Sequence, residues 1–413
     1  MTIRDNLKFV AVGHVDHGKS TLIGRLLYDT GSLPPDKMDE VRRFSESADG
    51  VPEFAFVMDH LEEERQKRIT IDTAQIFFKT DKREYTIIDA PGHKQFLKNM
   101  ITGSTQAQAA LLLVDVKEGL REQTHRHSYL LSLLGIKQLV VVINKMDLIE
   151  YSLQGFTDIS NAITARLNEL GLKPLAVIPI SARLGDNVAT KSRNISWYAG
   201  PTLLEALDEL QPTSNLQQKY LRLPIQDTYE IEDEKVLVGR IASGSLNIGQ
   251  SVMLQPSGEL TSIKAIRKWP NNPDSVGPGE SIGLVLADDN IFDSPAQRGN
   301  IICSVDDSPD ISNQLTATVF WMNPRPLHKG DTLIFKCATQ QVPCRVSRIN
   351  DRLNSSTLEI IEPNADKLQD TEVARLILQM EHDICTDPFE QIPELGRFVL
   401  MRDNDTVAGG IIL

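Results

Sequence analysis

The chain has little cysteine. Only Cys303, Cys337, Cys344 and Cys385 occur among 413 residues, all in the last third, and no two form a CxxC pair. That excludes a small disulfide scaffold and argues against a cysteine zinc site; reduced, structural thiols are expected. Long apolar runs are missing too. The longest, such as Ala109 to Val114 and Leu139 to Ile143, fall far short of the ~20 residues a membrane-spanning helix needs. The first residues, Met1-Thr-Ile-Arg-Asp-Asn-Leu-Lys, run into a strand-like segment without the apolar stretch of a signal peptide, so a cytoplasmic location is expected. Positive charge is in deficit: 43 Lys and Arg against 56 Asp and Glu give −13, and residues 211 to 413, with 18 basic and 28 acidic, hold −10 of it. Such a surface repels a polyanion unless basic side chains gather on one face, and that half offers only the pair Arg267-Lys268. Fixed-period repeats and low-complexity tracts are absent as well.

What is present is an ordinary globular composition, 41% hydrophobic and 24% charged, over a length that suggests two to four domains. From Leu7 to Leu210, apolar runs (Phe9 to Val12, Tyr85 to Ile88, Ala110 to Val114, Leu139 to Ile143, Ala176 to Ile180) alternate with helix-like stretches. Those stretches are Lys19 to Tyr28, Lys94 to Gly103, Gln123 to Leu134, Ile159 to Leu170 and Thr202 to Leu210. The alternation predicts an α/β domain over 1–212. Within it, Leu27 to Arg68 is a long excursion with a helical patch at Asp36 to Phe44, of the kind that serves a ligand site. After the polar linker Gln211-Pro-Thr-Ser-Asn215 the pattern changes to short β-like runs: Val236 to Ala242, Ser251 to Leu254, Ile282 to Leu286, Leu315 to Trp321, Thr332 to Lys336, Val373 to Met380 and Gly396 to Met401. Two all-β units are expected, over 218–308 and 309–413.

Gly13-His14-Val15-Asp16-His17-Gly18-Lys19-Ser20 satisfies GxxxxGK[ST] between a strand and a helix, followed by Thr21. Glycines permit the tight turn, backbone N–H groups converge on phosphates at the helix N-terminus, Lys19 neutralises their charge, and the Ser20 hydroxyl can ligate Mg2+. Asn144-Lys145-Met146-Asp147 ends another strand and selects guanine. The Asp147 carboxylate accepts from ring N1–H and the exocyclic amine, a donor pair adenine lacks; Asn144 can bridge loops around the base, and the Lys145 stem can cover its face. Ser181-Ala182 would complete the pocket through backbone N–H groups. Asp89-Ala90-Pro91-Gly92-His93 ends a further strand, where Asp89 can hold Mg2+ through water, the Gly92 amide can reach the γ-phosphate and His93 can orient the attacking water. Thr70, within Arg68-Ile-Thr70-Ile71, can offer its hydroxyl to Mg2+ and its backbone to the γ-phosphate, in a loop released on hydrolysis. GTP or GDP with Mg2+ is therefore the expected cofactor set.

Together these motifs resemble the translation-type GTPases, in which a P-loop GTPase domain precedes two all-β barrel domains. The stretch Asp89 to Gly103 is similar to elongation factor 1-alpha. Gly24-Arg-Leu-Leu-Tyr-Asp-Thr-Gly31, Trp197-Tyr-Ala-Gly-Pro-Thr-Leu-Leu-Glu205, Arg240 to Gly249 with Gln255-Pro-Ser-Gly258, Trp321 to Leu327 and Arg348 to Arg352 resemble the GTP-binding large subunit of sulfate adenylyltransferase. That resemblance implies a GTPase coupled to adenylyl sulfate formation from ATP and sulfate by a small ATP-binding adenylyltransferase subunit. With no second phosphate loop before Leu413, a stand-alone form without a fused kinase is expected. The alternative is an elongation factor 1-alpha-like GTPase delivering aminoacyl-tRNA. His14, His17 and Phe398 follow the factors, and Arg68 replaces the glycine usual in both groups.

Overall fold

A computed structural model describes residues 6–35, 38–39, 41, 54, 75–89, 107–211, 215–231, 234–287 and 297–413. The chain splits into two compact units between Pro212 and Thr213. The first holds a six-stranded sheet, order β2-β3-β1-β4-β5-β6. Its elements are β1 (Asn6–Gly13), α1 (Lys19–Asp29), β2 (Gln75–Lys79), β3 (Glu84–Asp89), β4 (Ala109–Asp115), α2 (Glu122–Leu133), β5 (Gln138–Asn144), α3 (Leu153–Glu169), β6 (Ala176–Pro179) and α4 (Leu203–Glu209). Every pairing is parallel except that of the edge strand β2 with β3. β4 is buried at all seven positions, and its first six residues form an unbroken apolar run, as expected of a central strand with both faces covered. Strand β2, Gln-Ile-Phe-Phe-Lys, was not expected from the sequence. As an edge strand it alternates, burying Ile76 and Phe78 while Phe77 is 60% exposed, and five residues of alternation make a weak signal.

Register decides where the chemistry sits. Asp115 lies beside Asn144, Gly13 beside Leu113 and Asp89 beside Ala11, so the carboxyl ends of β1, β3, β4 and β5 share one rim of the sheet. Loops leaving that rim are where an open α/β sheet binds ligands. Helix α1 buries Leu22, Ile23, Leu26 and Leu27 against the sheet, the i, i+4 spacing of an amphipathic face. Helix α3 starts at Leu153, earlier than its apolar pattern shows, because the Ser152 hydroxyl accepts from the Gly155 N–H and caps it. The expected helix at Lys94 to Gly103 lies outside the described residues, as does most of the patch at Asp36 to Phe44.

The second unit holds two rings of strands. The first is a closed barrel of β7 (Arg222–Ile231), β8 (Glu234–Arg240), β9 (Ser251–Gln255), β10 (Glu259–Arg267), β11 (Ser281–Leu286) and β12 (Ile301–Ser304), in the order β9-β10-β11-β8-β7-β12. The second contains β13 (Asp310–Trp321), β14 (Thr332–Cys337), β15 (Gln340–Asn354), β16 (Ile360–Glu362), β17 (Glu372–Thr386), β18 (Arg397–Arg402) and β19 (Asp405–Ile412), in the order β14-β18-β19-β13-β17-β15-β16. Pairing of β14 with β15 closes six of these strands. Strand β15 carries Pro343, Arg345, Arg348 and Arg352 and does not read as a strand, yet Val342, Cys344 and Val346 alternate into the core. Gly410 in β19 lets the backbones close up: a Cβ there would stand 2.7 Å from the Thr318 carbonyl and 2.6 Å from the Phe398 ring. All four cysteines are free and buried, and burial pushes the thiols up, to about 11 for Cys303 and about 12 for Cys344 and Cys385.

Arg222 of the first barrel ties it to the second. Its Nε donates to Asp387 Oδ2 at 2.9 Å, Nη2 to Asp387 Oδ1 at 3.0 Å and Asp307 Oδ2 at 2.7 Å, and Nη1 to the carbonyls of Asp307 at 2.9 Å and Leu221 at 3.1 Å. All five guanidinium N–H groups are thus used. Burial opposes the charge, but the two carboxylates outweigh it and hold the guanidinium pKa above its ordinary value.

Candidate nucleotide site

β1 ends at Gly13, one 3-10 turn spans Val15–His17, and Gly18 adopts φ 87° before α1 begins at Lys19. Glycine is required at both ends of this loop. A Cβ on Gly18 would stand 2.6 Å from Asn144 Nδ2, and one on Gly13 would press on Leu113 at 3.0 Å. Lys19 Nζ lies 2.8 Å from Asp89 Oδ1, with both side chains largely buried. Ser20 and Thr21, half-buried, occupy the first turn of α1, and Asp16 is exposed. His17 is fully buried: its Nδ1 shares a hydrogen bond with the Leu113 carbonyl at 3.1 Å, and its Nε2 faces Glu118 at 3.6 Å. The His14 ring packs edge-on to His17, and its Nδ1 bonds the Gln123 amide oxygen.

Burial lowers the His17 pKa below 6.5, although the Leu113 carbonyl, Asp115 and Glu118 pull the other way. In the unfolded chain the ring takes a proton near its ordinary value, and the folded ring resists it. The His17 contribution to stability is therefore complete above pH 6.5 and is lost as pH falls from there through the lowered folded value. Histidine NMR titration is expected to place the midpoint of this ring below 6.5. A midpoint at or above 6.5 contradicts that.

The second loop is held to the first through Asn144, which is 2% exposed. Its Nδ2 donates to the His17 carbonyl at 2.9 Å, and its Oδ1 accepts from the Ala182 N–H at 2.9 Å. One side chain thereby joins the phosphate loop to Ser181-Ala182. Lys145 turns the chain at φ 66° and sends Nζ to Asp115 Oδ2 at 2.7 Å. Burial alone would raise the Asp115 carboxyl; Lys145 and the N–H groups of Glu118 and Lys117 outweigh it and hold the pKa below the usual value. Met146 N–H donates to the Ile180 carbonyl at 3.1 Å, and Asp147 sits half-exposed in the turn Met146–Ile149.

The structure thus gathers the phosphate loop, Asp89, Asn144, Lys145, Asp147, Ser181 and Ala182 along the rim of one sheet. Thr70, Ala90, Pro91, Gly92 and His93, with Arg68, lie outside the described residues. Two partners escaped the sequence reading. Asp115 anchors Lys145 and Gln123 anchors His14; an acidic residue closing the apolar run of β4 was the available signal for the first, and nothing local marked the second. Among the described residues no three His, Cys, Asp or Glu gather as metal ligands. One hydroxyl and one carboxylate suit Mg2+, which keeps most of its shell from water and phosphate.

The Elongation factor Tu GTP binding domain family matches residues 4–213, and the GTP-eEF1A C-terminal domain-like family matches residues 314–413. Elongation factor 1-alpha of Methanopyrus kandleri is 38% identical over 423 residues, covering 99% of this chain and 97% of that protein. Those of Archaeoglobus fulgidus and Pyrococcus furiosus are 38% and 37% identical, again over 99% of this chain and 98% of theirs.

These relatives overturn the expected assignment to sulfate adenylyltransferase, and with it the small adenylyltransferase partner. The segments that suggested it are devices of the fold. In Gly-Pro-Thr-Leu-Leu-Glu, Thr202 and Glu205 form the capping box of α4. Arg240 to Gly249 and Gln255 to Gly258 turn on Gly244, Gly249 and Gly258 at φ 75°, 80° and 76°. Trp321 donates Nε1–H to the Arg325 carbonyl at 3.1 Å, and Arg352 pairs with Glu362 and Glu372. Residues with these duties mark the architecture and are silent on what the GTPase serves. Matched along nearly its whole length, the chain belongs to the elongation factor Tu/1-alpha family of GTP-binding proteins.

Proposed function

We propose that this protein is an elongation factor 1-alpha-type GTPase that carries aminoacyl-tRNA to the ribosome in the cytosol and releases it after GTP hydrolysis. The observation that carries the reading is identity of 37–38% with elongation factors 1-alpha over 99% of the chain. In this reading residues 1–212 bind nucleotide, and the barrels at 218–308 and 309–413 engage the RNA. Gly13 to Thr21 cradle the phosphates, with the Lys19 ammonium on the β- and γ-phosphates. Ser20, Thr70 and Asp89 serve the Mg2+ ion, which neutralises phosphate charge when bound. Lys19 and Asp89 now pair with each other, so binding exchanges that pairing for phosphate and metal. Asn144, Lys145, Asp147, Ser181 and Ala182 read guanine; Ala90, Pro91 and Gly92 approach the γ-phosphate, and His93 orients the attacking water.

The test is whether the protein shields an aminoacyl ester. Aminoacyl-tRNA is expected to bind roughly 5- to 150-fold tighter with GTP than with GDP, the range of a typical coupling free energy. Slower deacylation with GTP than with GDP, at fixed salt, reads it out. Equal deacylation with either nucleotide sinks the proposal.

A further inference from the structure

Beyond the motif residues, the two loops that flank the base are tied at their outer ends by Tyr151 and Asp186. Tyr151 Oη donates to Asp186 Oδ2 at 2.7 Å. Each residue is bound into its own loop. Tyr151 N–H donates to the Met146 carbonyl at 3.0 Å, closing the turn that carries Asp147. Asp186 exchanges a backbone bridge with Ser181, whose N–H donates to the Asp186 carbonyl at 3.2 Å, beside Ala182. The same carboxylate accepts from Ser192 Oγ, and the Tyr151 carbonyl accepts from Trp197 Nε1 at 2.9 Å.

The backbone under this tie is strained. Lys145, Glu150 and Tyr151, none of them glycine, stand at φ 66°, 52° and 58°. Left-handed non-glycine residues cost on the order of 1 kcal/mol or more each and persist where surrounding contacts over-determine them. Three within seven positions bracket Asp147. With the tie released, this turn has somewhere better to go. The hydroxyl is a durable donor as well, since burial and then the Asp186 carboxylate push its pKa well above 10.

We infer that Tyr151 and Asp186 are positioning residues for guanine recognition: their hydrogen bond fixes the gap between the Asp147 turn and the Ser181-Ala182 loop, and so sets how long nucleotide stays bound. The inference rests on the guanine-pocket reading above. It places the control of base affinity in two side chains outside the recognition motifs.

Tyr151→Phe removes only the hydroxyl. Release of N-methylanthraniloyl-GDP from the full chain is expected to quicken roughly tenfold, the scale of one hydrogen bond to a charged acceptor. Affinity for tripolyphosphate, which engages the phosphate loop alone, is expected to stay unchanged. Asp186→Asn keeps an acceptor for the hydroxyl and should fall between Tyr151→Phe and the wild type. Tyr85→Phe, which loses a tyrosine–carboxylate hydrogen bond to Asp208 away from these loops in the same unit, controls for stability and should release GDP at the wild-type rate. Wild-type release from Tyr151→Phe overturns the inference, and so does an equal loss of tripolyphosphate affinity, which marks general loosening. Should the unmutated protein bind ATP as tightly as GTP, the pocket reading itself fails, a result distinct from either.

Discussion

Asp147→Asn turns the protein away from GTP and towards XTP. On the proposed guanine-pocket reading the carboxylate accepts from two guanine donors; an amide would offer N–H2 where the guanine amine points and suits the xanthine carbonyl instead. Two charge-assisted hydrogen bonds of about 2 kcal/mol each make the change in the GTP-to-XTP affinity ratio on the order of 1000-fold. Asp147 is half-exposed, so the shift falls short of what a buried pair would give. The turn should survive the exchange, because its backbone is held by the Met146–Ile180 and Tyr151–Met146 bonds, which do not use the Asp147 side chain. Competition between the two triphosphates measures the ratio. Undiminished GTP affinity with no gain for XTP would remove Asp147 from the base pocket.

The largest stability effect is expected at the joint between the barrels. Asp387→Ala strips two hydrogen bonds from a guanidinium that is 1% exposed and leaves Asp307 as its one carboxylate partner. Removing one member of a buried pair typically costs about 3–5 kcal/mol, because the remaining charge stays desolvated. Asp307→Ala should cost far less, since that side chain is 37% exposed and water can replace it. Urea unfolding followed by the emission of Trp321, buried in the second barrel, with Trp197 and Trp269 replaced by Phe in every variant compared, reports the transition of this unit. Equal midpoints for the two variants would show that burial does not govern the joint.

Sequence was most informative where a single residue type satisfies a backbone demand. Gly13 and Gly18 are legible because any side chain would meet Leu113 or Asn144. β4 and β5 are legible because both faces of these central strands are buried, which leaves all but their end residues apolar. The barrels were legible as a class but only partly as strands. Their walls have one face in the core and one outward, so strands such as β15 hide core residues among arginines. Partners reached through the fold, such as Asp115 for Lys145 or Asp387 for Arg222, 165 positions away, have no local signature. The resemblance to sulfate adenylyltransferase has the same root: the segments that carry it are caps, turns and ion pairs of the fold.

The order of the strands also governs how the protein emerges during its own synthesis. Strand β12 (Ile301–Ser304) is the piece that joins β9 to β7, so the first ring stays open until about seventy residues after its first strand have left the ribosome. In the second ring β19 (Asp405–Ile412) sits between β13 and β18, away from any rim. Until that strand is made, both neighbours display unpaired backbone. A pause or early stop in that stretch would leave a sticky, unsealed sheet.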